Sequence, residues 1–353
     1  MENTTAFSLT GASKPNGSAG PNSPKLDSRE ASDRGARKHL EGDLDAARAE
    51  YLAALEINPN NATAHNNLGF LLAQEGKLDE AIRHYERALE IDPRKSMAMA
   101  NLGLACVAKG DDQAGIDWLR RAVQADPENI LAHDNLSRLL LKSNRLPEAE
   151  AAARAALEIS PHQGRIYLTL GLAVAGQQRF SEAAEILRRA VQLEPDSSNA
   201  WEQLGVILFV RQDLGSATDA LRRSIMLAPT NASARHQLST VLLAKGNREA
   251  AAKELESILA IEPGHLPAQL DLAVLSLSQG QWDAALNRLE VALHADPTNQ
   301  RALFYRAVTL DQLGRRAEAT EILSSLVAIP EGSYADRARN YLQERRERFA
   351  KEQ

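Results

Sequence analysis

The sequence predicts an all-α fold made of stacked helical hairpins. Its most informative feature is a proline that returns at a constant interval of 34 residues. The proline positions are Pro59, Pro93, Pro127, Pro161, Pro195, Pro229, Pro263 and Pro297. A fixed period in this range is typical of chains that stack copies of one supersecondary unit. The 353 residues are therefore expected to form one elongated repeat domain instead of several globular ones.

The proline fixes the boundaries of nine repeats when it is placed at position 32 of each. The repeats cover 28–61, 62–95, 96–129, 130–163, 164–197, 198–231, 232–265, 266–299 and 300–333. Position 20 holds only Ala or Gly, and position 8 holds only Gly, Ser or Ala. Two helices need such small residues where their backbones cross closely, because a larger side chain would overpack the contact. Each repeat is thus predicted to contain two closely crossed helices.

The apolar spacing within a repeat places these two helices. In repeat 62–95, apolar residues recur at intervals of three, four and seven, from Leu68 to Leu72 and again from Leu78 to Leu89. Position 15 is Gly in six repeats, and a glycine just beyond a helix end closes the helix with a positive φ. The second helix ends ahead of the proline, because the residue before a proline is driven out of the α region. The predicted order is helix, tight turn, helix, turn.

The two ends of the chain differ from the repeats. Residues 1–27 are rich in Asn, Ser, Thr, Gly and Pro, so we predict a disordered N-terminal arm, whose role in docking is left open. The arm lacks the basic start and continuous apolar core of a secretory signal. Residues 334–353 are predicted to form a capping helix, with Tyr334, Ala338 and Tyr341 on the face that covers the last repeat.

Composition narrows the classes of partner. The formal net charge of −6 argues against nucleic acid, which favours a basic surface. No apolar run approaches the length that a membrane span needs. The single cysteine, Cys106, stands where other repeats carry Leu or Val, and is interpreted as a core residue. We expect a cytoplasmic protein without a nucleic-acid partner.

No group of residues with the spacing of a catalytic or cofactor site is found. None of the eight histidines has a second histidine four residues away, and none joins a cysteine cluster, so zinc-type spacing is absent. The glycines are dispersed among the repeats, so there is no phosphate-binding loop, and no serine nucleophile motif occurs. We therefore predict no enzymatic activity, no metal and no cofactor.

The repeat resembles the tetratricopeptide repeat family, whose motif is W-x2-L-G-x2-Y, then A-x3-F, then P. The residues that carry the resemblance most clearly are Trp201, Leu204 and Gly205, together with Leu68, Gly69, Ala81, Tyr85, Ala88 and Pro93 of repeat 62–95. The resemblance covers residues 28–333. It implies a right-handed superhelix of nine helix-turn-helix repeats, with a concave groove lined by the first helix of each repeat.

The resemblance also implies where a ligand binds. Position 6 of the first helix, which the family directs into the groove, is Asn in three consecutive repeats. This row resembles the asparagine ladder with which some long superhelices of the family hold an extended peptide, since an amide both donates and accepts hydrogen bonds. Asparagine is also the commonest family residue there, so a purely structural role stays open. The predicted groove residues are Asn67, Asn101, Asn135, Phe70, Arg138, Arg165, Leu172, Gln203 and Gln237.

Two functions are consistent with these features. The first is a non-enzymatic scaffold that binds a peptide or helical segment of another protein in its concave groove. The second is a regulatory or targeting subunit of an enzyme assembly, for example one for glycan or envelope biosynthesis. Self-association through the first repeat or the capping helix is left open in both cases.

Overall fold

All regular structure in the described residues is α-helical. The computed structural model describes residues 27–329 and 333–352. The nineteen helices in these ranges are α1 (Ser28–Leu40), α2 (Leu44–Ile57), α3 (Ala62–Gln74), α4 (Leu78–Ile91), α5 (Ser96–Ala108), α6 (Asp112–Ala125), α7 (Ile130–Lys142), α8 (Leu146–Ile159), α9 (Gly164–Gly176), α10 (Phe180–Leu193), α11 (Ser198–Val210), α12 (Leu214–Leu227), α13 (Ala232–Ala244), α14 (Arg248–Ile261), α15 (Leu266–Ser278), α16 (Trp282–Ala295), α17 (Gln300–Gln312), α18 (Arg316–Val327) and α19 (Ser333–Glu352).

Helices α1 to α18 pair into nine hairpins, one for each repeat that the sequence predicts. The two helices of every hairpin pack against each other, and α19 packs against α17 and α18. The hydroxyl of Tyr341 on α19 donates a hydrogen bond to Asp311 Oδ2 at 2.9 Å. The prediction of an all-α repeat fold is therefore confirmed. The predicted N-terminal arm lies outside the described residues, except for Asp27, whose side chain accepts a hydrogen bond from Arg29 N at the start of α1.

The turn inside each hairpin has one residue in the left-handed region. At position 15 this residue is glycine in six hairpins, for example Gly76 with a φ of 75°. The other three hairpins use Asn144, Gln178 and Gln212, with φ values of 56°, 63° and 63°. The next residue often caps the second helix, as Asp111 does when its Oδ1 accepts a hydrogen bond from Ala114 N at 2.9 Å. One left-handed residue and one cap thus reverse the chain in a very short segment.

Small residues at position 8 let the two helices of a hairpin approach closely. A Cβ on Gly69 would lie 2.8 Å from the ring of Tyr85, which is completely buried. A Cβ on Gly103 would lie 3.0 Å from the carbonyl oxygen of Gly115. A Cβ on Gly69 would clash with the Tyr85 ring, and a Cβ on Gly103 would fit only if the backbone at Gly115 shifted slightly, so the close crossing favours glycine at both positions.

Backbone contacts divide the chain into two compact halves, of which the first ends at Pro195 and the second begins at Asp196. We call the described residues 27–195 the N-terminal half and the described residues from 196 onward the C-terminal half. In the N-terminal half, the first helices of consecutive repeats contact one another directly, in the series α1, α3, α5, α7 and α9. The second helices of this half do not pack on each other in the same way. The first helices therefore form the inner layer of this half. No helix in the described ranges is both long enough and apolar enough to cross a lipid bilayer.

Candidate functional site

The candidate site is the exposed side of the inner layer. We call the inner face the surface of the first helices that carries positions 5, 6 and 9 of each repeat. Because the first helices of the N-terminal half lie side by side, residues at one position form a row across α3, α5, α7 and α9. The predicted groove residues of this half lie in these rows, apart from Arg165 at position 2 of its repeat.

The asparagine row at position 6 is withdrawn from solvent. Asn67, Asn101 and Asn135 are exposed by only 1%, 1% and 2%. Asn101 Nδ2 donates a hydrogen bond to Asn66 Oδ1 at 3.0 Å, and Asn66 Nδ2 donates to Asn67 Oδ1 at 3.1 Å. The amides of α3 and α5 are thus connected in a buried chain between two repeats. Their role in binding a peptide stays a prediction.

A buried carboxylate stands beside this row on α7. Asp134 is almost wholly enclosed, and Arg165 Nη2 on α9 lies 2.6 Å from its Oδ2. Burial raises the pKa of the Asp134 carboxyl, although the charges of Arg165 and Arg138 oppose the rise. The two predicted arginines therefore lie close enough to Asp134 to influence its charge. Their guanidinium groups bring positive charge to one end of the asparagine row.

At position 9, the side chains of α3, α5 and α9 are apolar, whereas that of α7 is Arg138. Phe70 and Leu104 are 7% and 4% exposed, and Leu172 is half-buried. The ring of Phe70 lies 5.0 Å from the imidazole of His39 between centroids. His39 Nε2 in turn lies 2.7 Å from Gln74 Oε1. The inner face of the N-terminal half therefore combines an amide row with an adjacent apolar row.

The inner face of the C-terminal half is more open at position 6. Gln203 on α11 and Gln237 on α13 are both half-buried. Asp271 on α15 occupies the same position and contacts His236 Nε2 at 2.8 Å and Arg301 Nη2 at 2.6 Å. Burial pushes the pKa of Asp271 upward, but the hydrogen bonds from His236 and Arg301 outweigh it and hold the pKa below its usual value.

One pair of histidines is brought together that sequence reasoning missed. His65 Nδ1 on α3 lies 2.9 Å from His84 Nδ1 on α4, and His65 Nε2 lies 3.0 Å from the carbonyl oxygen of Pro59. Burial lowers the pKa of both imidazoles, and for His84 burial together with the neighbouring His65 lowers it to about 4.

The signal that could have revealed this pair is its spacing of 19 residues. Position 4 of the first helix faces position 23 of the second, and Arg235 and Glu254 occupy the same two positions with a contact of 2.8 Å. A search for histidines on one helix cannot find such a pair. Among the described residues, no group of three or more His, Cys, Asp or Glu side chains is arranged to hold a metal ion.

The hairpin array, with its small crossing residues and repeating turn, defines a helical-repeat protein. The family model for the C-terminal domain of cilia and flagella-associated protein 70, a tetratricopeptide repeat model, matches residues 8–240. A general tetratricopeptide repeat model matches residues 242–291 and 276–340. The chain belongs to the tetratricopeptide repeat family, as its sequence pattern predicts. Repeats of this kind form scaffolds for protein interactions and are generally not enzymes.

Solved structures share the fold at low sequence identity. PilF of Pseudomonas aeruginosa matches with 21% identity and a TM-score of 0.53, over 59% of this chain and 95% of that one. The Cut9–Hcn1 hetero-tetramer of the APC/C matches with 16% identity and a TM-score of 0.55, over 80% of this chain and 55% of that one. A tetratricopeptide repeat protein from Parabacteroides merdae matches with 18% identity and a TM-score of 0.50, over 67% of this chain and 93% of that one. These likenesses concern the fold alone. No curated protein matches the chain.

Proposed function

We propose that the protein is a non-enzymatic cytoplasmic scaffold whose inner face binds an extended polypeptide segment. The observation that carries this proposal is the row of Asn67, Asn101 and Asn135 on three consecutive first helices. A side-chain amide can pair with both the N–H and the C=O of a peptide bond, whatever side chains the peptide carries. A row of amides at repeat spacing therefore suits an extended backbone.

The neighbouring rows add selectivity. Phe70, Leu104 and Leu172 offer apolar contacts to alternate side chains of the bound segment, in the manner of extended-peptide recognition. Arg138 and Arg165 bring positive charge to the α7–α9 end of the face and favour an acidic residue there. In the C-terminal half, Gln203 and Gln237 supply the same amide chemistry at position 6.

Affinity selection from a random peptide library tests the proposal. The full chain is compared with the double variant Asn101→Ala/Asn135→Ala and with Leu172→Lys. Each lost hydrogen bond costs about 1 kcal/mol, so the double variant should bind selected peptides at least about tenfold more weakly. The matched control is Gln124→Ala, which changes an exposed amide on the second helix of repeat 96–129 and should leave binding unchanged.

The outcome separates the two functions. Peptide affinity that is the same in the double variant and in the control variant would contradict binding at the inner face. Stoichiometric co-purification with an enzyme, abolished by Leu172→Lys, would instead favour the regulatory or targeting subunit.

A further inference from the structure

The inner faces of the two halves differ in how far they are closed to solvent. At position 6, the three asparagines of α3, α5 and α7 are buried, whereas Gln203, Gln237 and Asp271 are only half-buried. At position 9, Phe70 and Leu104 are buried, whereas Arg138 and Leu172 are half-buried, as are the position 9 residues of the C-terminal half. The inner face is therefore most closed over α3, α5 and α7 at position 6 and over α3 and α5 at position 9.

In the N-terminal half, each first helix packs against first helices of adjacent repeats and against second helices. The described helices that pack together in this half are separated by one or two places in chain order, so no described helix from a more distant repeat is packed on the inner face. The inner face is therefore the surface of this half on which a further segment can dock.

Asp27, the first described residue, lies near the edge of this face. Asp27 lies in the lining of a polar cavity of about 480 Å³, which also includes Arg29, Ser32, Thr63 and Lys95. Ser32 stands at position 5 of the first repeat, so the cavity is continuous with the inner face. The Oγ of Ser32 is buried and has no hydrogen-bond partner among the described residues. The cavity therefore offers a path from Asp27 onto the inner face.

Residues 1–26 are long enough to follow that path. An extended chain spans about 3.3 Å per residue, so these residues reach up to about 85 Å. Packed helices are about 10 Å apart, so the five first helices of the N-terminal half extend over about 40 Å. Even Phe7, which is 20 residues before Asp27, can be placed on α3, α5 or α7.

The composition of this segment fits the face. Most of its residues are Asn, Ser, Thr, Gly or Pro, which leave the backbone accessible to amide side chains. Apart from Met1, Phe7 and Leu9 are its large apolar residues before Leu26, and they match the apolar side chains of Phe70 and Leu104.

We propose that residues 1–26 bind in extended form to the inner face of the N-terminal half, as an intramolecular occupant of the proposed peptide site. This inference rests on the proposed function, because it names a ligand for the same face. A tethered segment acts at an effective concentration of about 1 mM, so an external partner must displace it. The arm is therefore an autoinhibitory element.

Photo-crosslinking of the full chain tests where the arm lies. Benzoylphenylalanine replaces Phe7, and the crosslinked monomer is mapped by mass spectrometry. Crosslinks within one chain to peptides from α3, α5 or α7 are expected. Crosslinks confined to the second helices, or formed only between two chains, would overturn the proposal.

Competition with a synthetic peptide gives an independent measurement. A fluorescein-labelled peptide of residues 1–26 is titrated into the wild-type chain and into the full-length variant Phe7→Asp/Leu9→Asp. For an arm that binds with a Kd of about 0.1 mM, loss of the tethered competitor should tighten peptide binding about tenfold. The control Ser18→Asp adds a charge to the arm but keeps both apolar residues, and it should behave as the wild type. Equal affinity for the wild type and the double variant would overturn the proposal.

The same variants separate failure of this inference from failure of the proposed function. Library peptides that bind wild type and Phe7→Asp/Leu9→Asp equally, and lose affinity with Asn101→Ala/Asn135→Ala, would overturn only the intramolecular occupant. If neither library peptides nor the 1–26 peptide bind the arm variant, both proposals fail.

Discussion

The two halves of the molecule contain the same carboxylate–arginine pair in different surroundings. Asp134 pairs with Arg165, and Asp271 pairs with Arg301, each over 2.6 Å and each with an arginine at position 2 of the next repeat. Asp271 also contacts His236, and its side chain is 17% exposed, whereas that of Asp134 is 1% exposed. Arg165 therefore contacts an almost fully desolvated carboxylate, whereas Arg301 contacts a more exposed carboxylate that also has His236 as a partner.

This difference reverses the direction of the pKa shift. Burial raises the pKa of Asp134, whereas the hydrogen bonds from His236 and Arg301 overcome burial and lower the pKa of Asp271. Stability from Asp271 is present above the ordinary carboxyl pKa and is lost as the pH falls through its lowered value. Ionisation of Asp134 instead costs stability as the pH rises from the ordinary carboxyl pKa through its raised value. The direction of the pKa shift is therefore decided by the number of hydrogen-bond partners and the access of water to the carboxylate, because both carboxylates have an arginine beside them.

The largest expected loss of stability follows from replacing the arginine of each pair with alanine. Arg165→Ala leaves a buried carboxylate without its nearest cation and should lower the stability of the α7–α9 region by about 3 kcal/mol. Arg301→Ala should cost about 1 kcal/mol in the α15–α17 region, because His236 still donates to Asp271. Hydrogen exchange of peptides from these helices at pH 7 measures both losses separately.

Two controls sharpen this result. Asp134→Asn/Arg165→Ala removes both charges and should recover most of the stability lost in Arg165→Ala. Arg189→Ala changes an exposed arginine on α10 and should have little effect. Equal losses in Arg165→Ala and Arg301→Ala would show that the surroundings of the two carboxylates do not matter.

Acidification should destabilise the hairpin with His65 and His84 at positions 4 and 23 more than the hairpin with Arg235 and Glu254 at the same positions. The folded state keeps His65 and His84 neutral, because burial lowers both pKa values, and that of His84 falls to about 4. Stability from this pair is present above an unfolded pKa of about 6.5 and is lost as the pH falls, by about 1 to 2 kcal/mol near pH 4 when solvent screening at these half-buried side chains is included. The α13–α14 hairpin carries the Arg235–Glu254 contact at these positions and no histidine at either of them, so the same loss is not expected there.

Hydrogen exchange corrected for its intrinsic pH dependence measures this contrast between α3–α4 and α13–α14. His84→Gln keeps a neutral polar side chain on α4 and should flatten the pH response of the first hairpin. A response of the same size in both hairpins would assign acid sensitivity to the whole array instead of the histidine pair.

The sequence was sufficient for most of the fold. Proline at position 32, small residues at positions 8 and 20 and glycine at position 15 each reflect one local steric requirement, which the repeats make visible many times over. The turns at Gln178 and Gln212 carried no such signal, because glutamine does not indicate a positive φ. Packing of the hairpin imposes that conformation on an ordinary side chain.

The candidate site was less accessible to sequence reasoning. The identity of the position 6 asparagines could be read directly, but not their burial or the hydrogen bond through Asn66, which joins residues 35 positions apart. The pairing of His65 with His84 likewise depends on how two helices face each other. Such contacts are set by tertiary packing, and the residues that make them are not the same from one repeat to the next, so the period does not reveal them.

The smallest expected effect concerns the crossing of the two helices in a hairpin. We compare Gly69, which faces Tyr85 in the N-terminal half, with Ala273, which packs with Leu289 in the C-terminal half. Gly69→Ala places a Cβ 2.8 Å from the Tyr85 ring and should destabilise by about 1 to 2 kcal/mol, after the better helix propensity of alanine is included. Ala273 and Leu289 pack together in the C-terminal half, and Ala273→Gly should cost about 1 kcal/mol through helix propensity alone. Urea unfolding measures both losses. Gly69→Ala/Tyr85→Leu recreates the alanine–leucine pair and should be more stable than Gly69→Ala alone, because Ala273 and Leu289 pack together at the same two positions. Failure of this rescue would mean that the backbone crossing itself, and not the tyrosine ring, requires glycine at position 69.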